Sequence, residues 1–141
     1  MPAINTFTRK GVVEKTTNAT QTIAAVFSTA NWLNASFGIT VEVLARQTDN
    51  INETGHYYRT ATFKRNAGTL TQVGSTRTWG TDDESVAGWD ATIDMGSATV
   101  IGTTTGDYIR VLVTGAVGDT VDWNVIAEVR VNDGQFGQDS L

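Results

Sequence analysis

A chain of 141 residues with one proline, fourteen glycines and no cysteine has the length of a single domain. Its formal net charge of -5 opposes sequence-independent binding to nucleic acid, which needs Lys and Arg to neutralise phosphate. The lack of cysteine excludes disulfides, thiol catalysis and Cys-ligated zinc, and no apolar run reaches the ~20 residues of a membrane-crossing helix.

Threonine takes about one position in six and valine about one in nine, and both are β-branched residues that favour strands. With Pro2 the only proline, glycine has to make the turns. Residues 1–10, "MPAINTFTRK", have no clear period and no hydrophobic stretch of a secretory signal, and are expected to form an arm. Strands are expected at about 11–16 and 21–27, followed by "TANWLNAS" as a turn of helix or a loop. "FGITVEVLARQ" alternates Ile39, Val41, Val43 and Ala45 against Thr40, Glu42, Leu44 and Arg46, the period-2 pattern of a strand with one buried face. After the loop "TDNINETG", a second alternation sets Tyr57, Arg59, Ala61 and Phe63 against His56, Tyr58, Thr60 and Thr62. Asn66, Ala67 and Gly68 suit a three-residue hairpin connection to the strand "TLTQVGS".

Residues 75–88 are expected to be irregular, with strands in "WDATIDM" and "ATVIGTT" beyond them. A glycine turn at 105–107 leads to "YIRVLVTG", with Ile109, Val111 and Val113 inward. The strictest alternation is in "VDWNVIAEVRV", where Val121, Trp123, Val125, Ala127, Val129 and Val131 share one face. The tail "NDGQFGQDSL" looks loose. Eight or nine strands joined by short glycine turns predict an all-β fold, a single antiparallel jelly-roll-like sandwich over residues 11–132, with an arm at 1–10 and a tail at 133–141.

Few residues suggest chemistry. His56 is the only histidine and cannot build a conventional zinc site alone, and no serine lies in a G-x-S-x-G elbow. Both points predict a protein without catalytic residues, metal or other cofactor. Asp82, Asp83, Glu84 and Asp90 concentrate acid in one loop, which calcium or a glycosidase carboxylate pair would use, but the spacing is not that of an EF-hand loop. A solvated acidic loop is the expectation. Arg59, Lys64, Arg65 and Arg77 are expected on a solvated sheet face. The Asn-x-Thr/Ser matches at 18, 34 and 52 are expected by chance in so threonine-rich a chain. Of the four tryptophans, Trp123 belongs to the core pattern, while Trp79 and Trp89 bracket the acidic loop and are candidates for stacking on a glycan.

The stretches "YYRTATFKRNAGTLTQVGS" and "VLVTGAVGDTVDWNVIAEVRV" resemble modules of tailed-phage virion proteins, in which a Thr-rich hairpin with "GTLTQVGS" precedes a strand ending "VTG" and a closing strand bearing "DW". The resemblance covers roughly residues 55–131. It implies a phage structural β-domain, either a capsid decoration (cement) protein or a tail-fibre domain. Since the sequence carries no heptad or collagen-like stalk, the expectation is a decoration protein. It would be made in the host cytoplasm and act on the capsid surface as a homotrimer that bridges subunits of the major capsid protein, with no nucleic-acid or membrane partner. Ile4, Phe7, Arg9 and Lys10 of the arm are the candidate capsid or intersubunit contacts. The alternative is a tail-fibre or baseplate domain that binds a host receptor or surface glycan through Trp79 and Trp89.

Overall fold

Alternation along the strands decides the architecture, because a face of Val, Ile and aromatic side chains has to be buried against a second sheet. The computed structural model describes residues 6–49, 52–96 and 108–134, with backbone alone for residues 6–10. These residues form nine strands: β1 (Thr6–Thr16), β2 (Thr22–Ser28), β3 (Ala35–Gln47), β4 (Thr54–Asn66), β5 (Thr69–Thr78), β6 (Asp83–Glu84), β7 (Asp90–Gly96), β8 (Tyr108–Thr114) and β9 (Val121–Asn132). Every strand pair is antiparallel. The larger sheet has the order β1-β9-β3-β4-β5, with β6 also paired to β4, and the smaller has the order β2-β8-β7. The fold is therefore the expected all-β sandwich. It is jelly-roll-like because the first two strands and the last two wind together: β1 pairs with β9 in one sheet, and β2 with β8 in the other.

Several element boundaries differ from expectation. β1 starts at Thr6, not near residue 11, because residues 6–10 continue the ladder on β9 from Val131 to Ala127. Half of the expected arm is thus a strand. The β4–β5 loop has two residues, not three, since Asn66 pairs with Thr69. Ala67 (φ 50°) and Gly68 (φ 83°) both take the left-handed conformation that matches the twist of a tight hairpin. Ala67 is an unusual choice there. Its N–H donates to Asn34 Oδ1 (2.9 Å) and the N–H of Gly68 to the carbonyl of Leu33 (3.0 Å), so the loop of "TANWLNAS" braces the turn. That segment is a loop, and no helix occurs among the described residues. β5 runs on to Thr78, into the stretch expected to be irregular. The strand expected at 98–104, the turn at 105–107 and the tail from 135 onward lie outside the described residues.

The core lies between the sheets. Phe37, Ile39, Val41, Val43 and Ala45 of β3, Tyr57, Ala61 and Phe63 of β4, and Val121 to Val131 in alternation on β9 face Ala25, Ala91, Ile93, Ile109, Val111 and Val113 of the smaller sheet. Tyr108 and Leu112 of β8, expected on the open side, are buried as well, so this central strand is covered on both faces. Aromatic rings collect at both ends of β3. Phe27, Trp32 and Phe37 meet at one end, with centroids 5.6–6.2 Å apart. Tyr57, Trp89 and Trp123 meet at the other.

Among the described residues, one edge of the sandwich is met by side chains and not by a further strand. β7 is the outer strand of the smaller sheet, and an outer strand exposes backbone groups that invite aggregation. The carbonyl of Ala91 accepts from Arg59 Nε (2.7 Å) and that of Ile93 from Thr76 Oγ1 (2.6 Å). Side chains of the larger sheet thereby satisfy part of the edge of the smaller one.

Trp123 is fully buried and its indole N–H donates to Thr16 Oγ1 (2.8 Å), which ties β9 to β1. Trp123→Ala should cost about 3–5 kcal/mol in urea unfolding, as large core truncations do. Thr16→Val keeps the shape but leaves the indole N–H without an acceptor, and should cost about 1–3 kcal/mol. A loss for Thr16→Val as large as for Trp123→Ala would show that the hydrogen bond outweighs the packing.

Candidate functional site

Strand β4 carries polar residues on both its faces, and the two faces do different work. On the inner face Tyr57 and Arg59 enter the core at the end where the acidic loop crosses over. Arg59 is buried and grips Asp82 through both ends of its guanidinium, Nη1 to Oδ1 at 2.6 Å and Nη2 to Oδ2 at 2.8 Å. Nη2 also reaches Asp90 Oδ1 (3.1 Å), and Cζ lies 5.4 Å from the centre of the Tyr57 ring. Hydrogen bonding to Asp82 raises the Arg59 pKa above its already high range, against the opposite effect of burial. The Tyr57 hydroxyl donates to Glu84 Oε2 (2.8 Å). Burial first, and this bond second, push its pKa far above the usual phenol range. Gly55 is required beside it, since a Cβ there would stand 2.7 Å from the Tyr57 hydroxyl oxygen.

The acidic loop is therefore not simply solvated, as the sequence suggested. Asp82, Glu84 and Asp90 are acceptors for a buried cation and a buried phenol, and Asp83 and Glu84 pair with β4 as the short strand β6. A guanidinium held between Asp82 and Asp90 supplies the positive charge that a divalent cation would bring. No group of three or more His, Asp or Glu side chains among the described residues is arranged to hold a metal. Arg59 is likewise not on a solvated face with Lys64 and Arg77, and neither is Arg65, which is half-buried with Nη1 donating to Thr29 Oγ1 (3.1 Å). The parity of Arg59 with Tyr57 and Phe63 turns it inward, where ion pairing meets the cost of burying charge.

Trp89 is corrected too. It is 3% exposed, its ring centre lies 5.9 Å from that of Trp123, and its indole N–H donates to Asp119 Oδ2 (3.2 Å). It is a core residue, not a surface contact. The signal was in the sequence: Trp89, Ala91 and Ile93 continue one alternation, and all three are buried.

Trp79 is on the surface, 68% exposed. Its backbone N–H donates to the carbonyl of Tyr58 (3.1 Å), which sets it beside Tyr58 at the rim of the larger sheet's outer face. Gly80 follows in the left-handed region, at φ 75°. Tyr58, Trp79 and Gly80 line a shallow depression of about 290 Å³. Tyr58 donates to Glu42 Oε2 (3.2 Å), and His56 Nε2 lies 2.8 Å from the same oxygen, so that nitrogen carries the proton. The His56 and Tyr58 rings are 4.7 Å apart and tilted by 47°. Asp83 is exposed and sits opposite His56 in the strand register. Partial desolvation raises the Tyr58 pKa, followed by the bond to Glu42 and the charges of Glu42 and Asp83.

Sequence reasoning found Trp79 but missed Tyr58 beside it, and Glu42 and His56 beside Tyr58. Their parity was legible, since all three lie on the polar sides of β3 and β4. Their meeting depends on the register that sets Glu42 opposite Tyr58 and Leu44 opposite His56, which alternation does not give. The arm candidates are less defined. Phe7, Arg9 and Lys10 have their backbones in β1, opposite Arg130, Glu128 and Ala127, while Ile4 lies outside the described residues.

No protein-family model and no curated protein sequence matches the chain. Among solved structures it is similar to the tailspike protein of Acinetobacter baumannii phage AM24, with a TM-score of 0.49 and 12% sequence identity. The similarity covers 95% of this chain and 27% of that protein, so the chain spans about a quarter of its length.

Asp82 is mostly shielded, whereas the Asp90 side chain is 60% exposed. Asp82→Asn should therefore destabilise by about 1–3 kcal/mol, by weakening the partner of a buried charge. Asp90→Asn should cost less than about 1 kcal/mol, as exposed pairs do; equal losses in denaturant unfolding would contradict this ranking. Tyr57 holds its proton more tightly folded than unfolded. Its contribution is intact below the unfolded phenol pKa of about 10 and declines as the pH rises above it. In Tyr57→Phe the loss of stability between pH 9 and about pH 11 should be visibly shallower than in the parent.

Proposed function

We propose that this protein is a structural module of a tailed-phage particle that works by binding, and that it belongs to a tail fibre or baseplate, where it contacts a receptor on the host surface. The phage assignment is supported by the resemblance of residues 55–131 to tailed-phage virion modules. The tail placement is supported by one observation above the rest, the exposed Trp79 beside Tyr58 on a rigid sheet face. A large aromatic left in water has no role in the fold, and aromatic residues are the usual anchors of recognition surfaces. Three of the four loop acids considered for a hydrolytic pair, Asp82, Glu84 and Asp90, are engaged with Arg59 and Tyr57, which favours binding over turnover.

A second reading, capsid decoration by a homotrimer that bridges major capsid subunits, has its own support. Val13 (70% exposed) and Leu44 (49% exposed) flank Asn124 on the outer face of the larger sheet. Two apolar side chains in adjacent registers suit a protein partner. The N-terminal attachment idea is narrower than the sequence suggested, because residues 6–10 are held by β9 and Ile4 is the one candidate contact ahead of them.

The two readings place the protein at different points of the particle. Gold-labelled antibody against the folded chain, applied to intact particles that carry it, is expected at the tail. Label spread over the capsid lattice would overturn the tail placement in favour of decoration, and particles without label would overturn both.

A further inference from the structure

We infer that the outer face of the larger sheet around Trp79, Tyr58, Glu42, His56 and Asp83 is a saccharide subsite for an uncharged pyranose with neighbouring free hydroxyls. The inference rests on the reading of the protein as a binding module and names the ligand class that its exposed face fits.

The shape of the site comes from the backbone. Trp79 is anchored by its N–H to the carbonyl of Tyr58, and Gly80, in the left-handed region at φ 75°, lines the depression beside it. The indole is thus exposed but attached to a sheet, so little order has to be gained when a ligand covers it. Tyr58 is fixed in turn by its bond to Glu42 and by contact with the His56 ring. The two aromatic side chains line a depression of about 290 Å³, the scale of a sugar ring or two and not of a protein interface.

The chemistry of the rim selects among ligands. Glu42 and Asp83 bring carboxylates to the aromatic surface, and carboxylates only accept hydrogen bonds. A flat apolar peptide would cover Trp79 but strip water from these acids without giving them donors, which is costly. A phosphorylated ligand or a sugar acid would meet Glu42 and Asp83 as repulsion, on a chain whose net charge is already -5. The exposed Arg77 shares this face opposite Thr60, but the register position of Trp79 stands between it and Asp83. A neutral pyranose meets both demands at once. Its C–H face stacks on an aromatic ring and its hydroxyls donate to carboxylates. Glu42 already accepts from Tyr58 and His56, so its main part is to hold them in place, and Asp83 at the exposed edge is the acceptor for ligand hydroxyls.

The test is a titration of the full chain with an array of neutral oligosaccharides of the gluco, galacto, manno and N-acetylhexosamine series, alongside oligomers of sialic acid. The readout is acrylamide quenching of tryptophan fluorescence, which reports mainly on Trp79 because Trp89 and Trp123 are buried and Trp32 is half-buried against Phe27 and Phe37. At least one neutral series should protect the fluorescence saturably, and the sialic-acid oligomers should bind no more than about a tenth as tightly. Trp79→Ala lacks the reporter, so its binding is read by titration calorimetry beside the parent; it should weaken the best neutral ligand by about tenfold or more, as loss of an aromatic anchor does, with an unchanged unfolding midpoint. Asp83→Asn should weaken it without changing the protection that saturating ligand gives Trp79. Absence of protection by every neutral series, equal binding of the sialic-acid oligomers, or undiminished binding by Trp79→Ala overturns the inference. Antibody label at the tail without sugar binding would reject the subsite alone. Label over the capsid would reject the tail placement and leave the sugar titration to be judged by itself.

Discussion

Polar-tipped side chains at one end of the core are the constraint on which the rest of the structure depends. Trp123, Trp89, Tyr57 and Arg59 supply bulk that this end of the sandwich needs, and each carries a donor that cannot be buried unpaired. The acceptors come from different parts of the chain: Thr16 from the end of β1, Asp119 from the β8–β9 loop, Asp82 and Glu84 from the segment between β5 and β7, and Asp90 and Ala91 from the start of β7. Satisfying four side chains therefore fixes two loops and one sandwich edge together. The acidic loop is a product of this requirement.

The alternation of β4 links that constraint to function. Tyr57 and Arg59 point into the core and hold the loop, while His56 and Tyr58 point out and present a surface. Because β6 is paired to β4 at Gly55 and His56, the bonds that anchor Asp82 and Glu84 on the inside also set Asp83 beside the outer site. A change that loosens the inner cluster should be felt outside through this two-residue strand.

Much of the fold was legible in the sequence because a period of two is a strong constraint. The inward sets on β3, β4 and β9 are the observed core, down to the burial of Trp123. The parts that were not legible depend on partners distant in the chain. Nothing within residues 1–10 shows that β9 offers a free edge to residues 6–10. The inward parity of Arg59 was visible, but its acid partners lie 23 and 31 residues further on. Trp79 and Trp89 looked equivalent on either side of the acidic loop. They differ because one ends a strand at the sheet rim and the other starts an alternation that leads into the core. The outer site was hidden for a related reason, since parity names a face while register names the neighbours on it.

Function in this fold turns on which surface is used. Hydroxyl-radical footprinting of the chain, alone and bound to the envelope of host cells of the phage proposed to carry it, reads this residue by residue. The expected result is protection of Trp79 and Tyr58 on binding, with no change at the smaller sheet formed by β2, β8 and β7. Protection confined to that smaller sheet, with Trp79 as reactive as in the free protein, would contradict the account.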